Sequence, residues 1–211
     1  QIEVYRKADV KEYGATFYLY SAAAFPNKTG SMMYLTSAMG GQVAETEWFN
    51  GEEGEQIAGG ETNVYADGEL ARKKLSSYPV SQLAYMENDT TETILMGIAT
   101  FKDAPHYKLK VIEGDKTSFE YYDVATGLLS KVESFIVVEE GGEPQEVIVT
   151  YNNYIEKSGV MVPQMQVINA NGMVLQFELQ KVMTNSKAKA KIFKGKTKKV
   201  KKAIVALSLG K

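Results

Sequence analysis

Short runs of alternating apolar and polar residues, each closed by a turn signal, recur along this chain and commit it to a β-rich architecture. Successive side chains of a strand point to opposite faces, so a run with period two is a strand with one face buried. The runs are Ala15–Ser21, Ser31–Ala38, Val43–Phe49, Lys108–Glu113, Thr117–Asp123, Leu128–Val138, Gln145–Tyr154, Val160–Ala170 and Gly172–Thr184, with Ile94–Phe101 as a tenth. Asn50-Gly51 and Gly114-Asp115 are hairpin turn signals, and Pro26, Asn27 and Gly30 separate the first two runs. Strands this close in sequence have no room for crossover helices, so the expected sheet is an antiparallel meander.

Helical spacing is confined to a few places. Asp67 can cap a helix from Gly68 to about Ser77, with Leu70, Ala71, Lys74 and Leu75 at helical intervals. Beyond Pro79, Val80–Met86 places Val80, Leu83 and Ala84 on one face, and Val4–Tyr13 reads as a third, weaker helix. The Gly-rich, acidic stretch Asn50–Thr62 reads as a loop. Several strands are written apolar on one side and charged on the other. Ala44, Thr46 and Trp48 oppose Glu45 and Glu47; Leu109 and Val111 oppose Lys108 and Lys110; Leu175, Phe177 and Leu179 oppose Gln176, Glu178 and Gln180. This is the pattern of a sheet with one wet face. Few helices are available to cover the other face, so a curled sheet with an apolar cleft follows: one α+β domain.

Composition then restricts the chemistry. The 211 residues hold no Cys and one His, His106, which removes thiolate ligands, disulfides and most histidine-based metal and catalytic sites. No phosphate-cradling glycine motif and no GxSxG elbow is present. The acidic clusters Glu52, Glu53, Glu55 and Glu139, Glu140, Glu143 adjoin glycines, as exposed turns do, and His106 between Pro105 and Tyr107 reads as a surface residue. The expectation is no enzyme, no metal and no cofactor. No apolar run reaches the length of a membrane-spanning helix. Charge is unevenly spread: residues 1–186 carry a net charge of about −12, whereas Lys187–Lys202 holds nine lysines and no acid. An acidic body argues against nucleic-acid binding, and the lysine block reads as a solvated tail. Gln1 is followed by charged residues, with no leader pattern. Methionines cluster around Met32, Met33 and Met39 and around Met161, Met165 and Met173; such residues fill cores and also line surfaces that accept varied apolar partners.

Four segments carry a family resemblance: Met33–Gly51, Phe119–Leu129, Val149–Pro163 and Leu175–Val182, with Phe193 after them. Their motifs are a strand ending in Tyr-x-Asp before a Thr-Gly turn, then a strand ending in Tyr, a Gly turn and a Val-x-Pro strand. Together they resemble the domain at the C-terminal end of insulinase-like zinc peptidases of Bacteroidetes, which is itself similar to the LolA/LolB lipoprotein-sorting fold. The resemblance implies a strongly curved antiparallel sheet, a half-open barrel with a few helices on its concave face, spanning residues 1–194. Residues 195–211 then form a Lys-rich tail without counterpart in the family. It also implies a periplasmic or outer-membrane location, a lipid or acylated protein as ligand, and a peptidase-like partner.

The cleft lining expected on this basis is Met33, Leu35, Trp48, Val111, Phe119, Met165 and Phe177. Trp48, at the end of its strand, is expected near the cleft mouth. The competing reading is a structural or docking domain whose cleft is filled by its own helices. Ligand cavity and packed core use the same residue types, and the sequence leaves both open.

Overall fold

The computed structural model describes residues 1–10, 14–37, 40–77, 81–87, 91–114, 116–137, 142–185 and 191–209. Of the residues singled out above, Tyr13, Ala38, Met39, Pro79, Val80, Asp115, Val138, Glu139, Glu140, Lys187 and Lys189 lie outside that set. The strands are β1 (Ile2–Val10), β2 (Ala15–Ala24), β3 (Lys28–Ser37), β4 (Gly40–Phe49), β5 (Gly54–Ala58), β6 (Glu61–Val64), β7 (Thr91–Phe101), β8 (Ala104–Glu113), β9 (Lys116–Asp123), β10 (Leu129–Ile136), β11 (Gln145–Lys157), β12 (Val160–Ala170) and β13 (Met173–Thr184). The helices are α1 (Asp67–Ser76), α2 (Ser81–Glu87) and α3 (Lys198–Ser208), with a 3-10 turn at Ile192–Lys194. All thirteen strands form one sheet in the order β6-β5-β4-β3-β2-β1-β13-β12-β11-β10-β9-β8-β7. Strands consecutive in the chain are neighbours in the sheet except β6 and β7, which end it, and the first strand pairs antiparallel with the last, with Ile2 opposite Thr184. The expected antiparallel meander is present.

Three local expectations are corrected. Residues Ile2–Val10 form a strand, not a helix. Val4 and Arg6 are buried on one face and Glu3 and Tyr5 on the other, so burial on both sides gave a pattern that fits either period. The stretch read as a loop contains β5 and β6, joined through Gly59 and Gly60 at φ 60° and 87°, a turn that glycine adopts without strain. Gly54 opens β5 because a Cβ there would lie 2.3 Å from the Trp48 carbonyl oxygen and 3.1 Å from the Tyr65 ring. Asp67 does not cap α1; Ala66 holds the cap position and Asp67 is the first helical residue. Its charge, with Glu69, still complements the helix dipole, as Lys73 and Lys74 do in the last turn. The turn after β9 follows its motif closely. Asp123 accepts hydrogen bonds at 2.8 Å from both the amide and the hydroxyl of Thr126, and Gly127 takes φ 71°.

The chain divides into two compact units. The first comprises residues 1–84, 157–160 and 177–211; the second comprises 85–156 and 161–176. In the first, β1 to β4 are largely covered on both faces, which corrects the expected wet face at Glu45 and Glu47, whereas Glu178 and Gln180 of β13 are exposed as expected. On one face Tyr5, Tyr18, Tyr20, Ala22, Met32 and Tyr34 pack beneath Ile192, Phe193, Val200 and Ile204. The lysine block is therefore no free tail over residues 191–208: its turn and α3 close this core. On the opposite face Phe49 is fully buried, and Glu47, expected in solvent, is held by Tyr65 and by Lys73 of α1. Ser77, also fully buried, meets the Thr29 hydroxyl at 3.2 Å.

Candidate functional site

Strand register determines which side chains share the α1 face of the first unit. Arg6 pairs with Leu19 and Ala8 with Phe17; Phe17 in turn pairs with Leu35, and Leu19 with Met33. On β13, Leu179 pairs with Arg6, which puts Phe177, two residues earlier, on the same face. Hydrogen bonds tie α1 and Ser77 to Thr29, Glu47 and Asn63, over β3 to β6. Phe17, Leu19, Met33 and Leu35 remain half-buried, an apolar stripe between the deeply buried Phe177 and Phe49. The stripe's face continues along β1 to Ile2, which lines a cavity of about 200 Å³ together with Phe25, Leu83, Val160, Gln1, Ser158, Thr184 and Asn185. Phe25 is 65% exposed at its rim, and Leu83 and Val160 are also exposed. The Thr184 hydroxyl is satisfied by Ser158 at 2.8 Å, which leaves hydrocarbon as the main lining.

Of the seven expected lining residues, Met33, Leu35 and Phe177 are on this face. Trp48 is not. It pairs with Gly30 on the α3 face, donates its indole N–H to Glu55 at 2.9 Å, and lies so close to Gly195 that a Cβ there would be 2.8 Å from Nε1. A tryptophan in that position reports the link between the 3-10 turn and α3, not a mouth on the other face. Val111 and Phe119 belong to the second unit and are on opposite faces, because Phe119 pairs with Lys110, the neighbour of Val111. Met165 is half-buried in the same unit. Sequence reasoning missed Phe17, Leu19, Phe25 and Leu83 as a group. The signal was present in Ala15–Ser21, where consecutive Phe17, Tyr18, Leu19 and Tyr20 write an apolar residue onto both faces.

The second unit carries one cluster of charged groups on the Phe119 face. Glu133 accepts hydrogen bonds from Lys131 at 2.6 Å and from the Tyr121 hydroxyl at 2.8 Å, and Lys108 is 3.8 Å away. Lys131 lies over the Tyr121 ring at 3.8 Å, and Lys108 over Phe119 at 4.5 Å, cation–π contacts in a partly dry setting. Burial raises the Glu133 carboxyl, but its bonds to Lys131 and Tyr121 and the nearby charges outweigh that and hold it below the ordinary carboxylate range. His106, expected at the surface, is 3% exposed, with Nδ1 3.0 Å from the Ala104 carbonyl and its ring edge-on to Phe101 at 5.5 Å. On the other face, Tyr85 and Tyr122 donate to the buried Glu120, the first at 2.6 Å. In the first unit, burial and the Glu3 charge push the Tyr5 phenol up to about 12, and burial first and Glu3 second raise Tyr20 as well. Each group has a structural partner, and among the described residues no three acidic or histidine side chains converge as metal ligands. A second cavity, about 230 Å³, is lined by Glu146, Asn169, Asn171, Gly172 and Ile148, too polar for a hydrocarbon chain. No described helix is long and apolar enough to cross a membrane.

No protein-family model and no curated protein matches the chain. Solved structures do match its fold. An outer membrane lipoprotein-sorting protein domain from Vibrio parahaemolyticus aligns over 91% of this chain and 88% of its own, at 11% identity and TM-score 0.58. A LolA superfamily protein from Nitrosomonas europaea aligns over the same shares at 14% identity and TM-score 0.55. A DUF1329 family protein from Desulfovibrio piger does so at 10% identity and TM-score 0.57. At these identities the likeness is one of fold: the chain has a LolA-like fold.

Proposed function

We propose that this chain is a non-enzymatic domain of the bacterial envelope, periplasmic or outer-membrane associated, that holds a lipid, a lipoprotein's acyl chain or another apolar ligand. The observation that carries the reading is the half-buried stripe Phe17, Leu19, Met33 and Leu35 on the face that leads to the Phe25–Leu83–Val160 cavity. Burial of an acyl chain contributes about 0.8 kcal/mol per CH₂, so such a stripe suffices without a dedicated polar group. The fold likeness to a lipoprotein-sorting domain supports the same reading. Titration with a fluorescent long-chain fatty acid and with a triacylated lipopeptide tests it. Saturable binding is expected, weakened about tenfold or more by Met33→Asp and by Phe25→Ser at the exposed rim. Absence of saturable binding by protein shown to be folded overturns it.

A second reading, a docking domain associated with a zinc-peptidase-like protein and without ligand of its own, is favoured by β7. This terminal strand of the sheet order exposes Leu95, Met96 and Ile98 at 63%, 55% and 68%, and a long apolar edge is a template for a partner strand. Capture of an extended partner peptide, lost in Leu95→Lys, distinguishes it from ligand carriage.

A further inference from the structure

Among the described residues, no lysine of the block lines the cavity or its stripe. Lys191, Lys194, Lys196, Lys198, Lys199, Lys201 and Lys202 are all exposed, and no Asp or Glu follows Glu178. On α3, at about 100° per residue, Lys198, Lys199, Lys201 and Lys202 fall on the arc opposite Val200, Ile204, Ala203 and Leu207. Val200 and Ile204 are buried in the first unit's core, and Ala203, Val205 and Leu207 pack against it. The helix is thus packed on the body by its apolar side and presents the lysines to solvent.

We propose that this lysine face docks the domain on an anionic lipid bilayer. Charge complementarity selects the occupant: seven exposed lysines lie within twelve residues, four of them on one arc of α3, on a chain whose first 186 residues carry about −12. Each lysine near an anionic surface raises partitioning about fivefold, so a few acting together suffice. Because the apolar side of α3 is already buried, the contact is electrostatic and reversible by salt, not an insertion. Nucleic acid is the poorer fit. Residues 187–211 contain no Arg for bidentate phosphate contacts, and their one aromatic residue, Phe193, is 5% exposed and cannot stack on a base. The proposal does not depend on ligand carriage.

Co-sedimentation with vesicles of phosphatidylcholine alone, or with about 30% phosphatidylglycerol, tests it across a salt series. The full chain is expected to bind only the anionic vesicles at low salt and to release by about 0.5 M salt. Lys198→Gln/Lys201→Gln/Lys202→Gln is expected to lower partitioning at least about tenfold, with an unchanged circular dichroism spectrum and melting curve. Lys157→Gln/Lys181→Gln, exposed lysines outside the block, serves as the control and is expected to bind like the parent. Equal binding to neutral vesicles, no binding to either, or retention by the triple variant overturns the proposal. Preferential capture by RNA, or low-salt self-association of the acidic body with the lysine face in place of vesicle binding, also overturns it. Met33→Asp is expected to leave vesicle binding intact, which separates failure here from failure of the carrier reading.

Discussion

At the residue scale, Glu133 shows how charge is tolerated between strands. Its side chain is 19% exposed, and those of Lys131 and Lys108 are 14% and 29% exposed. Removing the carboxylate leaves two cations facing aromatic rings with no counter-charge, so Glu133→Gln is expected to destabilise at pH 7 by about 1–2 kcal/mol in urea denaturation. The folded-state pKa lies below the unfolded one, so the carboxylate's contribution is complete above the ordinary carboxylate value and is lost as pH falls through the depressed value. The gap between parent and variant should accordingly close in acid. A gap that persists unchanged at pH 2 would mean that Glu133 acts through packing rather than charge.

At the scale of elements, α3 is the most informative piece. Ile204 is fully buried in the same cluster as Met32 and Tyr20, so Ile204→Ala should lower the stability of the first unit by about 2–5 kcal/mol. Melting curves that matched the parent's would show that α3 can leave the body without consequence. The lysines that open this helix, four of its first five residues, give its start the look of a solvated segment, whereas its apolar residues, Val200 and Ala203 to Leu207, stand mostly in its second half. Where alternation was clean and turn chemistry explicit, the reading matched: the Thr117–Asp123 run and its Thr-Gly turn appear as β9 and the Asp123–Thr126 bonds. Elsewhere the pattern misleads: β1 is covered on both faces, whereas β5 and β6 are largely exposed. β1 lost its period to double burial, β5 and β6 hid in acidic, Gly-rich composition, and Glu47 looked solvated because its partner Lys73 is twenty-six residues away. Site residues suffered for the same reason. Alternation says which residues share a face but not which face meets a helix, so Trp48 and Met33 were grouped although register puts them on opposite sides.

At the scale of the whole molecule, the two units differ in how they are held together. Of the apolar residues buried among the described positions, fifteen belong to the first unit, from Val4 to Ile204, and three to the second: Val111, Tyr121 and Val162. The second unit relies instead on its strand ladder, the Lys108–Glu133–Lys131 cluster and the tyrosines on Glu120, and it exposes Ile94, Leu95, Met96, Ile98, Phe135, Ile136 and Val137. Hydrogen bonds and partly exposed ion pairs contribute less net stability than burial of side chains such as Tyr20, Met32 and Phe49. Opening free energies should therefore be lower in the second unit. Native-state hydrogen exchange read strand by strand checks this: amides of β9 and β10 are expected to exchange through a cheaper opening than those of β2 and β3. The difference in burial also determines which unit a docked partner would stiffen. A strand added to β7 covers Leu95 and Ile98 in the unit that has least burial of its own, so it should slow exchange in β8 to β10 while leaving β2 and β3 unchanged. An acyl ligand on the stripe at Met33 should do the reverse. Equal protection of the two units in the free protein would show that the ladder and its charged cluster match the first unit's core in strength.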